Sequence, residues 1–265
     1  MMHRIKRSLF LAVSVFVFFL SVNEQCLAVA GEVETHTQAD ALSGISNNWA
    51  GYEAVDGVFT GVGARWQVPK LARGTVSSTY AVWVGMGGEF EHDLIQIGIR
   101  AKEGGRKGVI YTAWYEMFPD KPHALPLSIA PGDLVRAAIM PKDTKNWIIT
   151  FENSTKKKKT SISIPKKKSF QSAEWIVERS SLAGGGVSDL GYFDPVVFTD
   201  VWAIKNGRKK TLFTAHALPI SMVDSADKKL LAHVSATGAE GKSFTVVRDK
   251  PGEVWLGLPG YTTLR

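Results

Sequence analysis

The stretch Asp93-Leu94-Ile95-Gln96-Ile97-Gly98-Ile99 decides the fold. Side chains alternate between the two faces of a strand. Ile95, Ile97 and Ile99 therefore share one face, while Gln96 and Gly98 share the other. Ala173-Glu174-Trp175-Ile176-Val177-Glu178 reads the same way, with Glu174, Ile176 and Glu178 on one face and Trp175 and Val177 opposite. One strand thus presents an amide and the other a carboxylate, both on rigid sheet. Such a pair can activate water without a metal, thiol, hydroxyl or imidazole.

Outward from these segments, short apolar or alternating runs recur at residues 63–68, 79–85, 109–118, 134–140, 146–152, 160–164, 196–203 and 244–248. Gly, Pro, Asp and Asn separate them. Many short strands at this spacing predict an all-β chain, a β-sandwich or a barrel. Residues 221–233 read equally as a short helix or as a strand after a turn. No internal repeat and no linker divides the chain after residue 45.

The N-terminus stands apart. Arg4, Lys6 and Arg7 precede an apolar run over residues 9–22, and small residues follow at Ala28 and Ala30. This is the pattern of a secretory signal peptide over residues 1–30. The run is shorter than the roughly 20 residues a membrane span needs. Residues 31–45 are expected to be a flexible arm or short pro-segment, 46–249 the folded domain, and 250–265 a C-terminal extension. Cleavage would remove Cys26, the only cysteine, and leave no thiol or disulfide. The product is expected outside the cell or in the periplasm, as a monomer.

The formal charge of +7 falls to about +5 without residues 1–30. Lys156–Lys159 and Lys166–Lys168 carry much of it. A solvated hairpin rim that deters edge pairing explains these runs; a weak contact with an anionic surface is the sharper alternative. Without interleaved aromatics they do not point to nucleic acid. Asn153-Ser154-Thr155 fits a glycosylation acceptor in a eukaryotic secretory route.

Several standard chemistries lack their motifs. There is no His-Glu-x-x-His, Gly-x-Ser-x-Gly, phosphate-binding glycine loop or Asp-Thr-Gly pair, and the six histidines are scattered. No metal or cofactor is assigned. Alternation instead puts Trp83 opposite Val82 and Val84, and puts Trp114 and Glu116 together with Thr112. If these strands share one curved sheet, its second face carries Trp83, Gln96, Trp114, Glu116 and Glu178. An aromatic groove with few polar groups suits a peptide or a sugar.

These residues also resemble a known family, the glutamic peptidases or eqolisins. The matching blocks are Asn47-Asn48-Trp49-Ala50-Gly51, Ala81-Val82-Trp83-Val84-Gly85, Leu94-Ile95-Gln96-Ile97-Gly98, Ala113-Trp114-Tyr115-Glu116, Pro131-Gly132-Asp133, Glu152-Asn153-Ser154-Thr155 and Ala173-Glu174-Trp175-Ile176-Val177-Glu178. They occur in the family's order. The resemblance implies a lectin- or glucanase-like β-sandwich of two antiparallel sheets. It implies a metal-independent, pepstatin-insensitive endopeptidase acting on polypeptides, with Gln96 and Glu178 as the catalytic dyad. Trp49, Trp83, Trp114 and Glu116 would line the substrate cleft. Gly87 and Arg100 stand where the family usually has Asp. With a cation in place of a carboxylate, activity is expected at higher pH than is usual in the family, or with a changed substrate preference. Two other readings remain open: a non-catalytic, lectin-like or peptide-binding module, and a glycoside hydrolase using Glu174 and Glu178. The latter pair would lie about 13 Å apart along a strand, farther than glycosidase carboxyls normally do.

Overall fold

Strand pairing runs without a break from one edge of the molecule to the other. The computed structural model describes residues 44–73, 78–88, 93–166, 170–182 and 185–250. The segment read as a signal peptide with Cys26, most of the segment read as an arm over residues 31–45, and residues 251–265 of the expected extension lie outside these residues. The strands are β1 (Gly44–Ser46), β2 (Trp49–Ala54), β3 (Phe59–Gln67), β4 (Thr79–Gly87), β5 (Leu94–Glu103), β6 (Val109–Phe118), β7 (His123–Ser128) and β8 (Leu134–Pro141). They continue with β9 (Asn146–Asn153), β10 (Lys158–Pro165), β11 (Ala173–Glu178), β12 (Val196–Lys205), β13 (Arg208–Lys210), β14 (Leu218–Val223), β15 (Leu230–Thr237) and β16 (Phe244–Arg248). One four-residue helix, α1 (Leu212–Ala215), is capped by the Thr211 side chain.

The order is β10-β9-β8-β3-β12-β16-β15-β14-β2-β11-β4-β5-β6-β7, with β1 on β14 and β13 on β12. All neighbours on this path are antiparallel, and β1 joins β14 in parallel. The chain is therefore all-β, as its sequence predicts. The two sheets expected from the resemblance are not separated by any break in pairing: one sheet folds over on itself. The main core lies inside that fold. Val62, Ala64 and Trp66 of β3 and Val135, Ala137 and Ile139 of β8 cluster with Val82 and Val84 of β4 and with Ile95, Ile97 and Ile99 of β5. Trp175 on β11 joins them, and its indole N–H donates to the Gly63 carbonyl of β3 (3.1 Å). A buried indole needs such a partner.

The isoleucines of β5 thus face the main core, as alternation requires. A second, smaller cluster forms on the opposite face from Ala81, Trp83, Leu94, Trp114, Ile176 and Ile220, with Trp49 packed against it. Residues 221–233 resolve into the end of β14, a turn, and the start of β15, so the strand reading holds there. Strand β1 takes in Gly44 and Ile45, and so reaches into the segment read as an arm.

The outer strands manage their open edges. β10 carries Lys158, Lys159 and Pro165, and β7 carries Pro126, the residues that discourage pairing with another chain. Lys166 lies over the Trp147 ring, 4.8 Å from its centroid. Lys156 is committed inward, pairing with Asp133 (3.0 Å). Asp133 also accepts from Asn153 Nδ2 (2.7 Å) and the Ala130 backbone N–H (2.8 Å). Burial alone would raise its pKa, but these donors outweigh it and hold the carboxyl below its usual range. Asn153 is 0 % exposed and donates to Asp133 and to the Ser128 carbonyl. It is therefore sealed from a glycosylating enzyme in the folded chain, and the acceptor reading of Asn153-Ser154-Thr155 does not stand for the native protein.

Candidate active site

Three transverse rows of side chains build one face of the half-sheet β2-β11-β4-β5-β6-β7. Directly paired residues of an antiparallel sheet point to the same face. The first row is Trp49, Glu178, Ala81, Arg100 and Thr112. The second is Gly51, Ile176, Trp83, Gly98 and Trp114. The third is Glu53, Glu174, Gly85, Gln96 and Glu116. The middle row is the apolar floor. Gly98 is required in it, because a Cβ there would overlap the Val82 carbonyl and lie 2.6 Å from the Trp83 Cβ. The two indoles of that row sit on either side of the glycine, and Trp49 meets Trp83 edge-on, with centroids 5.2 Å apart at 78°.

A cleft of about 500 Å³ opens over this face, lined among others by Trp49, Gln96, Arg100, Trp114, Glu116 and Glu178. Trp83, expected to line the cleft, is instead fully buried beneath it, where it packs in the apolar floor and its indole N–H is spent on Glu178. The six residues singled out from the sequence are therefore brought together. Gln96 and Glu178 are separated by β4, and the register sets them four residues apart along the strand direction.

Glu178 ends β11 and is partly buried. Its Oε2 accepts from Trp83 Nε1 (2.7 Å) and its Oε1 from Asn48 Nδ2 (3.3 Å). Burial pushes its pKa up to about 7; the Trp83 bond opposes that rise, and the Glu116 carboxylate adds to it. The Trp49 indole N–H also pulls the value down, yet its Nε1 makes no hydrogen bond of ordinary geometry. It acts on the carboxylate as a nearby dipole.

Asn48 is the residue that sequence reasoning left without a role. Its side-chain oxygen accepts from Ser46 Oγ (3.1 Å), and Ser46 Oγ in turn receives the backbone N–H groups of Asn48 and Trp49. Arg179, buried just after Glu178, grips Asn47 through both its backbone and side-chain oxygens and pairs with Asp224 (2.9 Å). A serine turn and a buried guanidinium thus fix the donor that faces Glu178. The Ser-x-Asn pattern at Ser46 and Asn48, directly before a strand, was the available signal.

Gln96 is 5 % exposed and donates through Nε2 to Glu116 Oε2 (2.6 Å). That carboxylate fixes the orientation of the amide. One amide N–H remains, and Gln96 Oε1 is buried without a partner. Burial raises the pKa of Glu116, and the Gln96 bond lowers it in part. Glu174 is 0 % exposed, sits opposite Glu53 in register and does not line the cleft. Arg100 does line it and is exposed. Gly87 has φ +92, and a Cβ there would overlap the Asp93 carbonyl, so this backbone has no room for the family's usual Asp.

Among the described residues no group of three or more His, Cys, Asp or Glu side chains is placed to hold a metal ion. A wider depression of about 920 Å³, lined by Leu71, Tyr111, Tyr192 and Phe193 among others, holds no amide–carboxylate pair. Its Tyr111 hydroxyl is taken by the Leu71 backbone N–H (3.0 Å).

Comparison with known proteins finds relatives of the whole β-rich domain. Aspergillopepsin-2 of Aspergillus niger is 26 % identical over 227 residues, covering 76 % of this chain and 77 % of that protein. Scytalido-glutamic peptidase, solved with a peptide-based transition-state analogue, superposes with a TM-score of 0.65 at 23 % identity, over 77 % of this chain and 99 % of that one. SCP-B, a member of the eqolisin family solved with the tripeptide Ala-Ile-His, gives 0.62 at 22 % over the same shares. The family model for Peptidase A4 matches residues 47–246. On that match, which takes in every strand of the cleft, the chain belongs to the Peptidase A4 family, the glutamic peptidases, which are endopeptidases.

Proposed function

We propose that this chain cleaves polypeptides with Gln96 and Glu178 as its working pair. The observation that carries the assignment is the state of these two groups in one cleft. Glu178 is a carboxyl with a pKa near 7, and Gln96 is a buried amide with an acceptor and an N–H to spare. Ionised Glu178 takes a proton from a water whose other hydrogen is accepted by Gln96 Oε1. The water oxygen bonds to the scissile carbonyl carbon. The oxyanion that forms receives the free Gln96 N–H. Glu178 then returns its proton to the leaving nitrogen as the C–N bond breaks. Trp49 and Trp114 offer apolar surface to an extended substrate, and Glu116 serves by holding the Gln96 amide in place.

The pH dependence follows from burial. A general base must be ionised, so kcat/KM rises as pH increases through about 7. Arg100 cannot be the cause of such a shift. A cation favours the ionised carboxylate and would move this limb down in pH; the rise comes from desolvation and Glu116. Activity at higher pH than is usual in the family therefore belongs to this proposal with desolvation, and not Arg100, as its cause.

The glycoside hydrolase reading loses its second carboxylate, because Glu174 is buried away from the cleft. A purely binding module gives no reason for a carboxyl poised to exchange a proton near neutral pH. Export, cleavage near residue 30 and a monomeric state belong to the same proposal. N-terminal sequencing of the secreted product and its sedimentation would check them. The decisive assay is cleavage of denatured casein across pH 3–9, with pepstatin present, by the wild-type protein and by Glu178→Gln. Pepstatin-insensitive cleavage that disappears in the variant is expected. Cleavage that survives Glu178→Gln would sink the assignment.

A further inference from the structure

Arg100 lies on β5 in the same transverse row as Glu178, with only Ala81 of β4 between them. Its other neighbour in that row is Thr112 of β6. Both flanking side chains are short, so the guanidinium extends beyond its two neighbours in the row. Two strand spacings put Arg100 about 10 Å from Glu178 at the backbone. An extended peptide advances about 3.3 Å per residue, so this corresponds to roughly three residues of substrate.

The guanidinium is exposed, lines the cleft, and among the described residues makes no hydrogen bond or ion pair. The other charged groups lining the cleft among the described residues are Glu116 and Glu178. Glu116 is engaged by Gln96, and burial disfavours the charge on both carboxyls. Arg100 is the one cation among the described residues lining the cleft, and neither carboxyl is paired with it. A planar guanidinium beside a carboxylate forms a forked, charge-assisted pair, which a neutral amide of the same shape cannot match.

We propose that Arg100 is a specificity-determining residue, selecting substrates that carry an aspartate or glutamate side chain within about three residues of the scissile bond. The inference rests on the peptidase reading given above. A carboxylate so placed crosses the row at Ala81 and meets Arg100, while the scissile carbonyl stays with Gln96 and Glu178. Because substrate and transition state share the contact, it acts on KM and on kcat/KM more than on kcat.

The test uses matched peptides that differ only in Glu against Gln, scanned from the third residue before the scissile bond to the third after it. The readout is the ratio of kcat/KM for the Glu and Gln members of each pair, at pH 6 and low salt. At one or two positions the wild type is expected to favour Glu by roughly tenfold. The ratio should fall to about one in Arg100→Gln and invert in Arg100→Glu, with Arg100→Lys intermediate. Binding of the same pairs to Glu178→Gln, followed by fluorescence of the cleft tryptophans, should show the same preference without turnover. Ratios near one at every position in the wild type, or a Glu preference that survives Arg100→Gln, would overturn the inference while leaving the peptidase reading intact. Failure of the wild type to cut any peptide would overturn both.

Discussion

Asp133 and Glu178 are both carboxylates withdrawn from water, one at the turn before β8 and the other at the end of β11. Their surroundings treat them in opposite ways. Asp133 has a lysine ammonium, a side-chain amide and a backbone N–H on its oxygens, and its pKa falls. Glu178 has two neutral donors, one of them at 3.3 Å, and a second carboxylate nearby, and its pKa rises to about 7. Burial is common to both; the quality of compensation differs. The fully compensated group pins a turn. The under-compensated group is left able to exchange a proton near neutrality, which is what acid–base chemistry requires.

Four measurements press on that contrast. Replacing Gln96 with Ala removes the amide from the reactive side and should lower kcat by about 100–1000-fold, with little change in melting temperature. A drop under tenfold in steady-state kinetics would remove Gln96 from the chemistry. On the anchoring side, Asp133→Ala leaves Lys156, Asn153 and the Ala130 N–H without their acceptor and should cost about 2–4 kcal/mol in urea unfolding. The surviving folded fraction should retain normal kcat, and a matching fall in kcat would blur the division of labour.

Stability against pH should separate the two carboxylates by sign. A pKa raised in the folded state, as for Glu178, favours folding below the unfolded value and loses that advantage as pH rises through about 7. Glu178→Gln should therefore stabilise the protein at pH 8, by up to roughly 3 kcal/mol, and change little at pH 4. Asp133, with its pKa lowered, contributes above the usual carboxylate range and is lost in acid. Denaturant midpoints at the two pH values read both effects. The smallest change belongs to Trp83→Phe, which deletes the 2.7 Å donor to Glu178. The rising limb of the pH–rate profile should move up by on the order of one unit. A limb that stays put would mean that the indole bond does not tune the carboxylate.

Much of this was legible in the chain because strand alternation is a strict rule. Leu94–Ile99 and Ala173–Glu178 assign their faces from spacing alone, and the sheet places Ile97 and Gln96 on opposite sides as read. Whatever depends on which strands pair was not legible. Nothing local says that Glu116 meets Gln96, that Glu174 meets Glu53 and leaves the cleft, or that Asn48 reaches Glu178 across a separation of 130 residues. Residues 221–233 stayed ambiguous because the polar turn between β14 and β15 dilutes the alternation on either side. The buried Asn153 was hidden for a related reason. Its partner Asp133 lies 20 residues away, and a sequence motif cannot report burial.

Strand β11 enters the sheet between β2 and β4, although both precede it in the chain by roughly a hundred residues. Biosynthesis inherits a timetable from that insertion. While the ribosome is still delivering β5 to β10, β11 has not been made, and the residues of the cleft lack Glu178. With Glu178 as the proposed base, peptidase activity is expected only once β11 has arrived. On that reading, two separately made fragments divided near residues 167–169 should each be inert until they reassociate.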